Sequence, residues 1–113
     1  MVALALGGCA QVAPSAPATH PTIVSLNPCA DAILAQVAAP GQLLAISHYS
    51  HDPRGSSMPL AQARRYRATG GTVEEIAALA PDLVVGDSFT VPATRQALSR
   101  LGKIGRASCR ERV

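Results

Sequence analysis

The sequence predicts an α/β fold in which a mostly parallel sheet is flanked by helices and is truncated on its C-terminal side. Three observations predict it. Leu83-Val84-Val85-Gly86 is apolar without a polar interruption, and a strand apolar on both faces is normally buried on both, the habit of parallel sheets covered by helices. A capped amphipathic helix and a short break at Pro81-Asp82 precede it, which together make an αβ half-unit. Two other strand-like runs flank a single helical segment, so they are expected to be parallel with a right-handed crossover.

Taken in order, Thr22 to Leu26 reads as the first strand, and Asn27-Pro28 supplies an N-cap followed by proline at the first helical position. The helix from Pro28 to Ala38 is expected to place Ala30, Ile33, Leu34, Val37 and Ala38 on one face. Pro40-Gly41 turns the chain into a second strand, Leu43 to Ser47. His48 to Tyr66 is polar and irregular, with Pro53, Gly55 and Pro59 inside it, and a connection of that length in a compact domain is usually functional or mobile. Gly70-Gly71 reads as a turn needing permissive dihedrals; it lacks the spacing of a dinucleotide fingerprint. Thr72 then caps a helix in which Glu75 reaches back to the cap and Val73, Ile76, Ala77 and Ala80 share a face. After the apolar strand, Pro92 and Gly102 bracket a last helix within Thr90 to Leu101.

The two ends differ from this body. Residues 103–113, KIGRASCRERV, break the apolar pattern and match, in frame, a translation of a common short-read sequencing adapter; they are expected to be an artefactual tail and are set aside from fold reasoning. That tail holds Lys103, Arg106, Arg110 and Arg112 against Glu111, which accounts for the whole formal charge of +3. The rest of the chain is neutral, so the basic balance does not point to nucleic acid or an anionic surface. Residues 1–21 read as a leader. Val2 to Gly8 is too short to span a bilayer, which needs about 20 apolar residues, but Leu6-Gly7-Gly8-Cys9 resembles the lipobox at which bacterial lipoproteins are cleaved and acylated on the cysteine, here Cys9. An ordinary export signal is the alternative.

Residues 22–102 suffice for one small domain and fall short of a two-lobed protein, so the chain is expected to be a fragment. Domains of about 60 residues bury only about 60% of their unfolded surface and are marginal unless the core is complete. The three cysteines make no disulfide framework: with Cys9 in the leader and Cys109 in the tail, Cys29 is expected to stand alone as a small residue at a helix start, with a pairing to a cysteine beyond the truncation left open.

In an open parallel α/β sheet, ligands bind beyond the carboxyl ends of the strands, where loops and helix N-termini converge with unpaired N–H donors. Three loops qualify: Asn27-Pro28-Cys29, His48 to Asp52, and Asp87 to Thr90. Tyr49 and Phe89 offer broad apolar area there, suited to a flat ligand. His48, His51 and Asp52 form H-x-x-H-D, whose imidazoles and carboxylate suit zinc or iron, although loop spacing fixes no geometry, and no metal site is assigned.

Ala78-Leu79-Ala80-Pro81-Asp82-Leu83-Val84-Val85, together with Ile23 to Pro28 and Leu43 to Ser50, resembles in order and spacing the N-terminal lobe of class III periplasmic binding proteins, the cobalamin and iron-siderophore type. The resemblance covers about residues 22–102. It implies a partial Rossmann-like lobe and a solute-binding component of an ABC importer, periplasmic or membrane-anchored, that captures an iron-siderophore, haem or cobalamin-like chelate. It also implies delivery to an inner-membrane permease, no catalysis, no resident cofactor and a monomer at full length. Asn27, Pro28, His48, Tyr49, Ser88 and Phe89 fall on ligand-facing positions, and Glu74 on the position that docks into permease arginines. Two departures stand out: Asp31-Ala32 replaces the Thr-Glu of many relatives, and there is no tryptophan near Gly70. The rivals are a small metal-cluster-binding Rossmann-like enzyme fragment using His48 and Cys29, and a non-functional assembly stub with an exposed sheet edge.

Overall fold

The computed structural model describes residues 20–88, 90–102 and, in backbone, 104–106. Strand β1 (Ile23–Ser25) leads into helix α1 (Pro28–Val37), strand β2 (Leu43–Ser47) and a 3-10 turn over His48–His51. A short helix α2 (Leu60–Ala63) and a two-residue strand β3 (Ala68–Thr69) precede helix α3 (Val73–Leu79), strand β4 (Leu83–Gly86), helix α4 (Pro92–Arg100) and strand β5 (Ile104–Arg106).

The caps explain the main boundaries. Asn27 accepts from the amides of Cys29 and Ala30 at 2.8 and 3.0 Å, satisfying two donors the first turn leaves open. Thr72 accepts from the Glu75 amide at 3.3 Å. The Glu75 carboxylate reaches beyond the cap residue, to the Gly70 amide at 2.8 Å and the Thr69 hydroxyl at 3.0 Å. These contacts, the Thr69 hydroxyl foremost, hold its pKa below the usual range. Of the glycine pair, Gly71 alone needs the left-handed region, at φ +80°.

The sheet is parallel at every pairing, in the order β3-β2-β1-β4-β5. Ile23 pairs with Leu43 on one side and Leu83 on the other, which puts the first strand at the centre. The order runs outward from β1 through β2 to β3, then restarts at β4 on the far side of β1. The switch point of the topology therefore lies between β1 and β4. Strand β5, beside β4, falls within residues 103–113, which were expected to be an artefactual tail. Strand pairing is a backbone interaction, and the crossover through α4 delivers the chain to that open edge.

The core has two layers. Ile23, Leu43, Ile46, Met58 and Ala63 pack with Leu34, Ala35 and Ala38 of α1 on one face, while Val24, Ala45 and Val84 meet Ile76 of α3 and Leu98 of α4 on the other. This corrects the expected helix faces. Ile33 and Val37 are 55% and 71% exposed, and Asp31 takes an inward position instead, so α1 is rolled toward its polar residue. On α3 the inward face is Val73, Ile76 and Leu79, with Ala77 and Ala80 outside. The connection from His48 to Tyr66 is also more ordered than its composition predicts, because Met58 and Ala63 anchor it to the core.

Candidate functional site: the carboxyl-end rim

Because the strands are parallel, the segments following β1, β2, β3 and β4 emerge on one rim. Three neighbouring strands each end on a buried hydroxyl residue: Ser25 in β1, Ser47 in β2 and Thr69 in β3. At the switch point the Asn27 side-chain amide donates to Asp87 Oδ2 at 2.8 Å. The carboxamide oxygen already accepts two backbone N–H groups, so the nitrogen must be the end facing Asp87. Both ends of Asn27 are thus engaged within the chain, and its place on the rim is that of a brace joining the loops after β1 and β4.

The turn after β2 is held from below and from the side. Ser47 Oγ accepts from the Tyr49 amide at 3.3 Å. Asp31 Oδ2 accepts both the Ser47 amide, at 3.0 Å, and the Ser50 hydroxyl, at 2.6 Å. Asp31 is fully buried, and its other oxygen, Oδ1, has no hydrogen-bond partner. The Ser25 hydroxyl acts on this carboxyl, but its own bond goes to the Asn27 carbonyl at 3.5 Å, where little strength remains. Burial pushes the Asp31 carboxyl up from 3.8 to about 6, against the lowering effects of Ser25, Ser50, Ser47 and the nearby His51.

On top of this support stand His48 and Tyr49. Their rings lie 4.0 Å apart between centroids, tilted by 35°, and Tyr49 is 58% exposed. His48 Nδ1 lies 3.2 Å from the Thr69 carbonyl. A carbonyl only accepts, so Nδ1 carries the proton in that contact and Nε2 is the nitrogen left for a guest. Gly55 backs the turn: a Cβ there would stand 2.9 Å from the Tyr49 carbonyl oxygen.

The H-x-x-H-D residues are not brought together. His48 turns to Thr69, His51 Nε2 to the Tyr66 carbonyl at 3.1 Å, and Asp52 to the Arg54 amide at 2.9 Å. The Arg54 amide, then its guanidinium, hold the Asp52 carboxyl below its usual range. Among the described residues no group of three or more metal-ligating side chains forms. Cys29 does not stand alone: it is disulfide-bonded, and so offers no thiolate. Pro28 is half-buried at the start of α1, Ser88 is exposed beyond β4, and Glu74 is exposed in the first turn of α3. Phe89, Cys9 and the leader up to residue 19 lie outside the described residues.

Sequence reasoning missed Asp31, Ser47 and Ser50 as site residues. The usable signal was slight: one acidic residue in a mostly apolar helix, and apolar strands ending on hydroxyls.

A family model for periplasmic binding proteins matches residues 23–104, from the first residue of β1 to the first of β5. No curated protein and no solved structure gives a significant match. The match takes in the rim loops, the switch point and the order of strands that creates them, and the chain belongs to the periplasmic binding protein family, class III, whose members bind solutes outside the cytoplasm.

Proposed function

We propose that the chain is the N-terminal lobe of a binding protein that captures a flat chelate, either a ferric siderophore, haem or a corrinoid, and hands it to an ABC permease. The observation that carries this is the exposed His48-Tyr49 pair, fixed on the rim beside the β1/β4 switch point. An aromatic face held in place offers apolar area at little entropic cost, and a preset imidazole nitrogen adds a polar contact. Ser88 extends the same rim, while Asn27 and Pro28 shape it; Phe89, which follows Ser88 in the chain, belongs to the same reading as a ligand-binding residue. Export, with a lipid anchor at Cys9, belongs to the same reading.

Spectroscopic titration of the full-length protein with cyanocobalamin, haemin and ferric siderophores tests it. One member is expected to bind at micromolar Kd or tighter, about −8 kcal/mol, and to weaken on Tyr49→Ala; silence across the panel removes the chelate reading. Glu74, exposed on α3 and favoured there by the helix dipole, is assigned to permease docking. Glu74→Arg is expected to abolish uptake and leave binding intact, since a rim charge governs orientation and on-rate. Loss of both activities contradicts docking.

A further inference from the structure

We propose that Asp31 is the positioning residue of the ligand-facing rim: its buried carboxylate holds the His48–His51 turn against α1 and thereby sets where His48 and Tyr49 stand. The proposal rests on the chelate-binding reading and deepens it. Both bonds into the turn end on one oxygen, Oδ2. They bracket His48 and Tyr49 between Ser47 and Ser50, so the backbone that carries the two rim residues cannot shift away from α1 without stretching one of the bonds.

A purely structural role does not account for this arrangement. A buried carboxylate carries a desolvation penalty that an alanine or leucine in the same apolar surroundings avoids. Here one oxygen lacks any partner, so the charged form is held incompletely. What the charge supplies is two charge-assisted bonds, about twice as strong as neutral ones, aimed at the segment that carries the exposed Tyr49. Around the carboxyl stand Ser25 of β1, Ser47 at the end of β2, and Ser50 and His51 of the turn; His51 is the titratable group among the described residues that acts on it.

Protonation is directed to the unpartnered Oδ1, because Oδ2 already accepts two hydrogen bonds. The two bonds to Oδ2 survive as neutral bonds and weaken. The raised carboxyl places that change near pH 6. The turn is therefore gripped firmly above that pH and loosely below it, with no rearrangement of the sheet.

The test is an amide NMR titration of the full chain between pH 5 and 8, with three variants. In the native chain the Ser47, Tyr49 and Ser50 signals are expected to follow one curve with its midpoint near 6. Asp31→Asn, the neutral isostere of the protonated carboxyl, keeps an acceptor for both bonds and is expected to lose the curve and hold the low-pH positions throughout, whereas Asp31→Ala displaces the signals beyond either limit at every pH. Should Asp31→Ala not fold, Ser50→Ala removes the 2.6 Å bond alone and is expected to shift Tyr49. His51→Gln is expected to preserve the curve; its disappearance there assigns the titration to His51 and overturns the proposal. Unmoved Tyr49 signals in a folded Asp31→Ala or Ser50→Ala chain overturn it equally.

In the binding panel, the chelate that binds is expected to lose about tenfold in affinity with Asp31→Ala, the scale of one hydrogen bond, and to be rescued by Asp31→Asn. A bound chelate indifferent to both variants overturns the positioning role alone. A panel with no bound member overturns the chelate reading, whatever the amide signals do.

Discussion

The two ends of the sheet are each tied by an aspartate, and they are built on opposite principles. At the amino end, exposed Asp82 accepts from the Thr22 amide at 2.8 Å and the Thr22 hydroxyl at 3.1 Å, while its own amide donates back to Thr22. Gln42 does the same for neighbouring chain, accepting from the Ala39 amide and donating to the Pro21 carbonyl. These groups are wet and reciprocally bonded, and they fix register between β1 and β4. At the carboxyl end, Asp31 is dry, gives both bonds to a turn and leaves an oxygen unbonded. The amino end is organised to hold the strands together. The carboxyl end gives up stability to hold a surface feature in place.

The largest expected effect that sharpens this contrast is in the pH dependence of folding. The Asp31 carboxyl is raised from 3.8 to about 6 in the folded chain, so between those values the folded state holds the extra proton. Stability from this group is complete below about pH 4 and is lost as pH rises through 6, a difference of about 3 kcal/mol. Denaturant titrations at pH 5 and pH 7.5 are expected to show the chain more stable at pH 5, with Asp31→Asn flattening the difference and stabilising the chain at pH 7.5. Equal slopes in the native chain and Asp31→Asn break the contrast.

Next in size is Gly55→Ala. The new Cβ would meet the Tyr49 carbonyl oxygen at 2.9 Å, and overpacking against backbone costs about 1 to 3 kcal/mol. Both unfolding midpoint and Tyr49 environment are expected to change, which thermal melts and tyrosine fluorescence can follow. The smallest effect belongs to the amino end. Thr22→Val removes a hydroxyl that both donates and accepts and is expected to cost about 1 kcal/mol, with chelate affinity unchanged in the same titration. A loss of binding there would mean that the two ends are coupled.

Most of the architecture was legible because it is written in long periodic runs. β2 and β4 keep the bounds read from the sequence, Leu43–Ser47 and Leu83–Gly86, and α1, α3 and α4 lie within a residue or two of their caps and terminators. The elements that escaped notice are those too short to carry a period: the two residues of β3, the four of α2, and the 3-10 turn. The rim was predictable from topology alone, since parallel strands leave their following loops on one side. The interior of the rim was not. Asp31 four positions after the cap reads as ordinary complementation of the helix dipole, and nothing in its neighbours says that the helix will roll to bury it and leave Ile33 and Val37 in water. Asn27 was misread in the other direction: its cap was recognised, but its second bond to Asp87 lies sixty residues away.

The central position of β1 has a consequence for synthesis. Among the described elements, β1 precedes in the chain each of the strands that assemble around it. It gains β2 after one short crossover, but its other edge waits until Leu83 emerges. During that interval an apolar strand presents an open row of amides and carbonyls, the configuration most prone to pairing with the wrong chain.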